Sequence, residues 1–243
     1  TPEYAKKTVK YVKKNGFSHL REHIFMRVMH AGKSYEEWFE ENKPTQEELE
    51  KQKKTRFEKN PLISIIVPTY KTPIPYLREM IDSVVAQTYS NWELCIADGS
   101  EGDREVEAEL EKYSQSDKRI KYRILEKNLG ISGNTNGALE LAEGEYIGLF
   151  DHDDILAPNA LFEVVKALQE KDYDILYTDE DKVDGDGKEH LDPNFKPDFS
   201  IDLFRSHNYI THFFVVKKKI VDEIGGFREE FDGSQDYDLM FRC

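Results

Sequence analysis

Short apolar runs alternate with amphipathic segments from residue 61 onward. The runs are rich in β-branched and aromatic residues, which is typical of buried strands. Apolar residues in the intervening segments recur at helical spacing. The predicted strands are 62–67, 92–97, 120–125, 145–150 and 173–178, and the predicted helices between them are 75–87, 106–113, 132–142 and 160–168. This order predicts an α/β fold with a mostly parallel central sheet flanked by helices.

The regular alternation ends after residue 178. The last predicted helix stops at Cys243, and its apolar residues have little following chain to pack on, so we expect the natural domain to continue further. The pattern beyond residue 178 predicts a hairpin turn at Asp184-Gly185-Asp186-Gly187, a strand at 213–216, a helix from about Lys217 to Gly225-Gly226, and a helix from Gln235 with Ser234 as its N-cap.

Residues 1–60 differ from the rest, because they are rich in Lys and Glu and contain no strand-like run. Ser34 and Thr45 each precede a charged helical stretch, and Thr45-Gln46-Glu47-Glu48 fits a capping box. We interpret 1–60 as a helical extension or linker and 61–243 as the α/β domain. Helical spacing is seen in Val9, Val12, Leu20, Ile24, Phe25 and Val28, and the basic residues Lys6, Lys7, Lys10, Lys13 and Lys14 are interpreted as a solvated face rather than one bound to a membrane or partner.

Composition narrows the class of protein. The 243 residues carry a net charge of −14, which argues against nucleic acid as a partner. No apolar run approaches the roughly 20 residues of a transmembrane helix. Cys95 and Cys243 are the two cysteines and indicate no disulfide framework. We therefore expect the chain in the cytosol, or peripherally at the inner face of the membrane.

The stretch Asp151-His152-Asp153-Asp154 follows the predicted strand 145–150 at once. Ligands of open α/β sheets bind at the carboxyl ends of strands. Clustered carboxylates repel one another, and a hard divalent cation relieves that repulsion while leaving positions for phosphate oxygens. The stretch points to a metal and a phosphate-bearing substrate, with an acidic turn before the helix near Pro158 as the alternative.

Other polar residues also fall at the ends of predicted strands. Pro68 is expected to end the pairing of the first strand, leaving the Tyr70 ring to hold a planar base. Asp98, before Gly99, suits recognition of a base N–H or a ribose hydroxyl, because a mismatched ligand would leave a buried acceptor unpaired. Taken alone, the Pro68 signal is weak, because a proline that ends a strand is ordinary, and a helix N-cap or a turn is the favoured explanation of Asp98.

Three further segments carry chemistry. The Gly-rich stretch from Asn128 to Asn136 opens a predicted helix, whose N-terminus favours anions, although a capped helix start explains it as well. Asp179-Glu180-Asp181 adds acid at the end of a strand, either for substrate hydroxyls or merely to terminate the strand. Asp236 lies in the first turn of the last predicted helix, where the helix dipole favours acidic residues in general and also keeps this one ionised, as a general base requires.

Taken in order, these segments resemble the family 2 glycosyltransferases of the GT-A fold over roughly residues 61–243. The stretches 177–182 and 195–198 are similar to bacterial members that build surface polysaccharides, which are often large proteins with several transferase domains. The segments that carry the resemblance are Ile63-Ser64-Ile65-Ile66-Val67-Pro68-Thr69-Tyr70, Ser83-Val84-Val85-Ala86-Gln87-Thr88-Tyr89, Asp98-Gly99-Ser100, Asn128-Leu129-Gly130-Ile131-Ser132 with Asn136, Asp151-His152-Asp153-Asp154, and Gln235-Asp236-Tyr237-Asp238.

The resemblance implies an inverting transferase that uses a nucleotide-sugar donor, most often a UDP-sugar, and a saccharide or lipid-linked saccharide acceptor. It implies Mn²⁺ or Mg²⁺ as the cofactor, with Asp153 as its ligand, and Asp236 as the general base. The nucleotide-binding residues that it implies are Pro68, Thr69, Tyr70, Asp98, Gly130, Asn136 and Asp151, and the residues expected near the acceptor or donor sugar are Asp179, Glu180, His212 and Gln235.

The chain departs from the family pattern in two places. Ala97 stands where many members have a second Asp before Asp98, and the chain ends before the segment that often supplies a site histidine. His212 is a substitute for that imidazole or else a structural histidine, and His152 is interpreted as structural. A nucleotidyltransferase and a non-catalytic nucleotide-sugar-binding or assembly domain remain as alternatives.

Overall fold

The computed structural model describes residues 34–184 and 189–243. Packing divides the chain into two compact units. The larger comprises Pro44–Asp181 and Pro193–Cys243, and the smaller contains the described residues up to Lys43 and from Lys182 to Asp192. Within these described ranges, no helix combines the length and the hydropathy that a membrane span requires.

A six-stranded sheet forms the centre of the larger unit, with the strand order β3-β2-β1-β4-β8-β5. β1 pairs in parallel with β2 and with β4, and β2 pairs in parallel with β3. β8 runs antiparallel to both β4 and β5. The mostly parallel sheet predicted from the sequence is therefore confirmed. The strands are β1 Ile63–Thr69, β2 Trp92–Asp98, β3 Ile120–Ile124, β4 Tyr146–Leu149, β5 Ile175–Tyr177 and β8 Phe214–Lys217, and a separate two-stranded sheet contains β6 Glu180–Val183 and β7 His190–Asn194.

The described helices agree with most of the predicted ones. The capping box predicted at Thr45 is present, and Ser34, which was predicted to precede a helix as its N-cap, forms a capping box as well. The residues from Val9 to Val28, for which the sequence predicts helical spacing, and the basic residues from Lys6 to Lys14 lie outside the described part. The helices are α1 Tyr35–Asn42, α2 Gln46–Lys54, α3 Ile74–Val85, α4 Arg104–Ser116, α5 Gly130–Leu139, α6 Ala160–Glu170, α7 Ile201–Ser206, α8 Lys218–Ile224 and α9 Gln235–Arg242, with a short 3₁₀ helix at Glu229–Phe231.

Both faces of the sheet are covered. Successive residues of a strand point to opposite faces, so a strand covered on both sides is apolar nearly throughout. On one face Ile65 and Val67 pack with buried residues of α3, α4 and α6. On the other face Ile66 packs with Cys95, Ala97 and buried residues of α5, α8 and α9. The helices on both sides leave the carboxyl ends of β1, β2 and β4 at one common edge.

Two details differ from the sequence predictions, and a third lies partly outside the described residues. Pro68 does not end the ladder, because β1 continues one residue further and Pro68 pairs with Ala97. Ser234 occupies the N-cap position of α9 without a capping side-chain hydrogen bond. The hairpin turn cannot be followed through residues 185–188, which are outside the described part, but β6 and β7 flank it and the Asp184 N–H donates to the Glu189 carbonyl at 3.0 Å.

Glu93 anchors the sheet at the end opposite these carboxyl termini. Its buried carboxylate accepts hydrogen bonds from the Ser64 hydroxyl at 2.5 Å and from the Glu143 and Gly144 N–H groups at 2.6 and 3.2 Å. The Lys121 ammonium lies 2.7 Å away. One side chain therefore ties β1, β2, β3 and the turn before β4 together.

We expect Glu93→Ala to lower the free energy of unfolding by about 3 kcal/mol, because buried donors lose a charged acceptor. Urea denaturation measures this change. Glu143→Ala is the matched control, since that carboxylate is 76% exposed and also pairs with Lys121. It should change stability by no more than about 0.5 kcal/mol. Equal effects of the two substitutions would contradict the anchoring role.

Candidate active site

A cavity of about 260 Å³ opens at the carboxyl ends of β1 and β4. It brings together six residues that the sequence placed in a site, from segments up to 85 positions apart in the chain: Pro68, Thr69, Tyr70, Gly130, Asp151 and Asp153. It also includes four residues that were not chosen from the sequence: Asn128, Ile131, Asn134 and His152. The predicted strand ends therefore do converge on one pocket.

Asp98 lies behind the wall of this cavity and is buried. Its Oδ1 accepts hydrogen bonds from the Thr69 hydroxyl at 2.8 Å and the Ser100 hydroxyl at 2.6 Å. Ser100 in turn accepts from the Lys71 N–H at 2.7 Å. These bonds join the ends of β1 and β2, so they fix the backbone on either side of the half-exposed Tyr70 ring.

Two asparagines shape the opposite wall. The Asn134 side chain accepts from the Leu129 N–H and donates to Asn128 Oδ1, both at 3.0 Å. Asn128 Oδ1 also accepts from the N–H of Gly130 at 3.1 Å, which holds that residue at a φ of +75°. A Cβ on Gly99 would lie 2.6 Å from Asn134 Nδ2, so glycine is needed beside this wall.

Asn136 is placed away from this wall. Its amide oxygen accepts from the Phe227 N–H at 2.9 Å, and its amide nitrogen donates to the Phe227 carbonyl at 2.8 Å. Both polar groups therefore bind the chain itself, and Asn136 is not among the residues that line the cavity. The geometry makes it a clamp on the segment after α8.

The N-terminus of α5 already holds an anion from the chain. The Ser132 N–H donates to Asp232 Oδ1 at 3.1 Å. A Cβ on Gly130 would lie 2.3 Å from the other carboxylate oxygen of Asp232. The position that the sequence suggested for a ligand anion is thus partly filled by a carboxylate.

Asp151, Asp154 and His212 form a cluster of potential metal ligands, with one donor atom from each lying within 4.8 Å of the others. His212 Nε2 is 3.7 Å from Asp151 Oδ2. Asp153 is not part of this cluster. Its side chain is 58% exposed and lies 3.8 Å from His152 Nδ1.

The antiparallel strand β8 explains how His212 reaches the cluster. Leu149 of β4 pairs with Phe214 of β8. Because the two strands run in opposite directions, the residue two before Phe214 comes beside the residue two after Leu149. His212 and Asp151 hold those two positions. The local sequence around Asp151 or His212 does not reveal this pairing, because β4 and β8 are distant in the chain.

The two carboxylates of the cluster titrate abnormally. Burial raises the pKa of Asp151, and the nearby His212 opposes that rise while Asp153 and Asp236 add to it. Burial likewise raises the pKa of Asp154 to about 6, again opposed by His212 and increased by Asp151. Crowded acids in a recess favour the neutral form, and a bound cation would favour the charged form.

Asp236 lies at the start of α9 and within electrostatic range of Asp151. Its Oδ2 accepts hydrogen bonds from Asn208 Nδ2 at 2.9 Å and the Thr211 hydroxyl at 3.2 Å. The neighbouring Gln235 side chain accepts from the Gly233 N–H at 2.9 Å. Two side chains therefore hold the carboxylate of Asp236. Both belong to the segment 208–211, which directly precedes His212.

The predicted sugar-contacting acids Asp179 and Glu180 bind the chain itself. Asp179 Oδ1 accepts from the Lys196 N–H at 2.7 Å. Glu180 accepts from the His212 N–H and from Asn194 Nδ2. These contacts place both acids beside the segment that carries His212.

Sequence comparison gives a consistent family. Residues 64–225 match the family described as Glycosyl transferase family 2. Protein y4gI of Sinorhizobium fredii is 46% identical over 189 residues, covering 77% of this chain and 21% of that protein. O-antigen biosynthesis protein RfbC of Myxococcus xanthus is 34% identical over 209 residues, covering 86% of this chain and 16% of that protein. The chain thus spans about a fifth of the length of these two relatives.

Solved structures agree on the fold. Staphylococcus aureus TarS 1–349 in complex with UDP-GlcNAc superposes with a TM-score of 0.61 at 23% identity, covering 74% of this chain and 52% of that one. The mannosyltransferase PcManGT of Pyrobaculum calidifontis, in complex with GDP-Man and Mn²⁺, gives 0.53 at 19% identity, covering 79% and 56%. At these identities the likeness concerns the fold, and it confirms the GT-A fold that the resemblance implied.

Proposed function

The chain belongs to glycosyl transferase family 2, and from that premise we propose that it moves a sugar from a nucleoside diphosphate donor, with UDP as the carrier, to a hydroxyl of a saccharide acceptor. One observation carries the proposal: Asp151 belongs both to the wall of the cavity and to the cluster with Asp154 and His212. A nucleotide in the cavity would thus extend its phosphates toward the cluster, which fits a donor of this kind.

The base end of the donor fits the wall formed by the end of β1, with Asp98 of β2 behind it. Thr69 and the Tyr70 ring would frame a uracil, and the second carboxylate oxygen of Asp98 would accept its N3–H. The two hydroxyl donors on Oδ1 keep that carboxyl in one orientation. A buried acceptor with one orientation discriminates between bases, because a mismatched base leaves it unpaired. The UDP-GlcNAc complex of TarS supports uridine as the nucleoside.

The cluster fits a divalent cation. Two carboxylates and an imidazole are donors that suit Mn²⁺, whereas Mg²⁺ prefers an all-oxygen shell. We propose that Asp151, Asp154 and His212 would hold the ion, whereas the family resemblance implied Asp153 as the ligand. When bound, the cation would neutralise charge that develops on the departing diphosphate. The Mn²⁺ in the PcManGT complex supports this assignment.

Asp236 is our proposed general base. Asn208 and Thr211 orient its carboxylate through Oδ2, which leaves Oδ1 to take the proton of an acceptor hydroxyl as that oxygen attacks the sugar. The attack breaks the bond between the anomeric carbon and the diphosphate in the same step. A single displacement inverts the anomeric centre, and NMR of the product would establish its configuration.

Calorimetry with UDP tests the proposal most directly. We expect UDP to bind the 243-residue chain, and to bind at least about tenfold more tightly in the presence of Mn²⁺, because the ion would link the diphosphate to the cluster. Absence of UDP binding would overturn the proposed donor. Binding that is indifferent to Mn²⁺ and Mg²⁺ would overturn the proposed metal site.

The raised pKa of Asp154 predicts a pH dependence. Protons compete with a metal for this carboxylate, so Mn²⁺ affinity should fall as the pH drops through about 6, by up to about tenfold per pH unit below it. The pH dependence of the folding stability of the metal-free protein has the opposite sign to that of the metal affinity. A raised carboxyl pKa contributes stability below the unfolded value of 3.8, and that contribution is lost as the pH rises through about 6.

Mn²⁺ titrations between pH 5 and pH 8 check this expectation. Asp154→Asn provides the control, since it removes one titrating carboxyl and should make the pH profile shallower along with lowering affinity, while the His212 imidazole, which must be neutral to bind a metal, still competes for protons. A wild-type affinity that stays constant over this range would contradict the assignment of Asp154 as a ligand.

The relatives favour a role in surface polysaccharide assembly. RfbC is named for O-antigen biosynthesis, and this chain covers a small part of that protein. We propose that the chain is one transferase domain of a larger polysaccharide-building protein. The family match disfavours the nucleotidyltransferase alternative, and release of UDP from a UDP-sugar in the presence of an acceptor would exclude a non-catalytic binding domain.

A further inference from the structure

The backbone of His212 is held from both sides by one ion pair, of which the lysine is buried and the glutamate is partly exposed. Glu180 Oε2 accepts a hydrogen bond from the His212 N–H. The Lys196 ammonium donates to the His212 carbonyl at 2.7 Å and lies 3.5 Å from Glu180 Oε2. A shift or rotation of the His212 main chain would break its hydrogen bond to Glu180 or to Lys196.

Lys196 is buried to a degree that is unusual for a lysine. Its side chain is 1% exposed, and burial lowers its pKa, while the charges of Glu180 and Asp179 partly oppose that fall. Lysine is almost never fully buried unless it is paired. The desolvation of this ammonium opposes folding, so a role beyond general stability is a reasonable explanation for it.

Adjacent contacts fix the same segment. Thr178 Oγ1 accepts from the Phe213 N–H at 3.1 Å, and the Thr178 N–H donates to the Phe213 carbonyl at 3.2 Å. Thr211 binds Asp236 on the other side. Thr211 and Phe213, the two neighbours of His212, are therefore both held by hydrogen bonds. The N–H and carbonyl of His212 itself are held by Glu180 and Lys196.

We propose that Lys196, together with Glu180, is a positioning residue that sets the His212 imidazole in the metal cluster beside Asp151. This inference rests on the proposed function of that cluster. It reassigns Glu180 from a sugar contact to the support of a ligand. Outer residues that orient metal ligands are a general feature of metal sites, and their loss typically weakens metal binding by roughly 10- to 100-fold.

Lys196→Met tests the proposal, because methionine keeps much of the apolar stem and removes the ammonium. We expect Mn²⁺ to bind the UDP-saturated variant roughly 10- to 100-fold more weakly than the wild type, by calorimetry. UDP affinity without metal should be unchanged, since Lys196 does not line the cavity. Lys182→Met is the matched control, because that side chain is 74% exposed, and it should leave both affinities unchanged.

A double-mutant cycle separates positioning from a general structural effect. In a His212→Ala background the Lys196→Met substitution should weaken Mn²⁺ binding no further, because its target is gone. Equal weakening in both backgrounds would overturn the positioning role. If Lys196→Met does not fold, Glu180→Gln takes its place, with weaker Mn²⁺ binding expected in the wild-type background and no added effect in His212→Ala.

The wild-type titration distinguishes this inference from the proposed function. Failure of the UDP-bound wild type to bind Mn²⁺ would overturn both. Tight binding by the wild type and by Lys196→Met alike would overturn the positioning role alone.

Discussion

Asp236→Asn is expected to reduce sugar transfer by about 10²- to 10⁴-fold, the range typical of a lost general base. Asparagine can still accept the hydrogen bonds from Asn208 and Thr211, so the start of α9 should keep its place. It cannot take a proton from an acceptor hydroxyl. The affinity for UDP with Mn²⁺ should therefore be unchanged, while turnover of a UDP-sugar with acceptor collapses.

The matched control is Asp202→Asn, which changes an exposed acid in the first turn of α7. It alters the net charge by the same amount and should leave transfer unaffected. Rates are compared under saturating donor, with UDP release as the measured quantity. Normal turnover by Asp236→Asn would remove this residue as the base, and a parallel loss of UDP binding would indicate a structural role.

The central strands could be predicted from the sequence for a physical reason. β1 and β2 are covered on both faces, so nearly every position is apolar, and the pattern stands out against the amphipathic helices around it. β5 and β8 gave weaker patterns because they are short and because β5 lies at the edge of the sheet. The insertion of β8 between β4 and β5 depends on pairing between distant segments. No local pattern encodes it.

The candidate site divides in the same way. Thr69, Tyr70 and Asp151 were chosen because they follow strands, and parallel strands place such residues at one edge. The predicted site does not include Asn134, although the motif that contains it was part of the prediction. Its amide binds the neighbouring backbone, and no recognisable residue spacing indicates that contact. Lys196 lies in the stretch 195–198, which is part of the family resemblance, but its proposed role comes from a contact with the His212 carbonyl across the fold, which no local pattern shows.

Asp98 shows how a residue that the sequence predicts for the site can have an unexpected setting. The sequence suggested a carboxylate free to meet a base, and the structure holds one of its oxygens with two hydroxyls. Those hydroxyls belong to Thr69 and Ser100, which flank the strand ends on either side. The segment Asp98-Gly99-Ser100 is therefore one structural unit, in which Gly99 makes room for Asn134 and Ser100 orients the acid.

Asp154→Asn is expected to weaken Mn²⁺ binding to the UDP complex by at least about 100-fold, more than an outer residue would cause. Asn replaces a charged ligand by a neutral one, so the cluster loses part of the charge that holds the ion. Asp154 is the cleaner choice for this test than Asp151, because Asp151 also lines the cavity and its loss would disturb the nucleotide directly.

Asp153→Asn is the decisive partner for that substitution, because the local sequence favoured Asp153 as the ligand and the geometry favours Asp154. The Asp153 side chain is 58% exposed and stands outside the cluster, so its substitution should alter Mn²⁺ affinity by less than about threefold, the effect of one nearby solvated charge. The reverse order of effects would return the metal to Asp153. It would then require the segment from Asp151 to Asp154 to rearrange when the donor binds, since only a turn of the backbone could bring Asp153 to the position that Asp154 now holds beside His212.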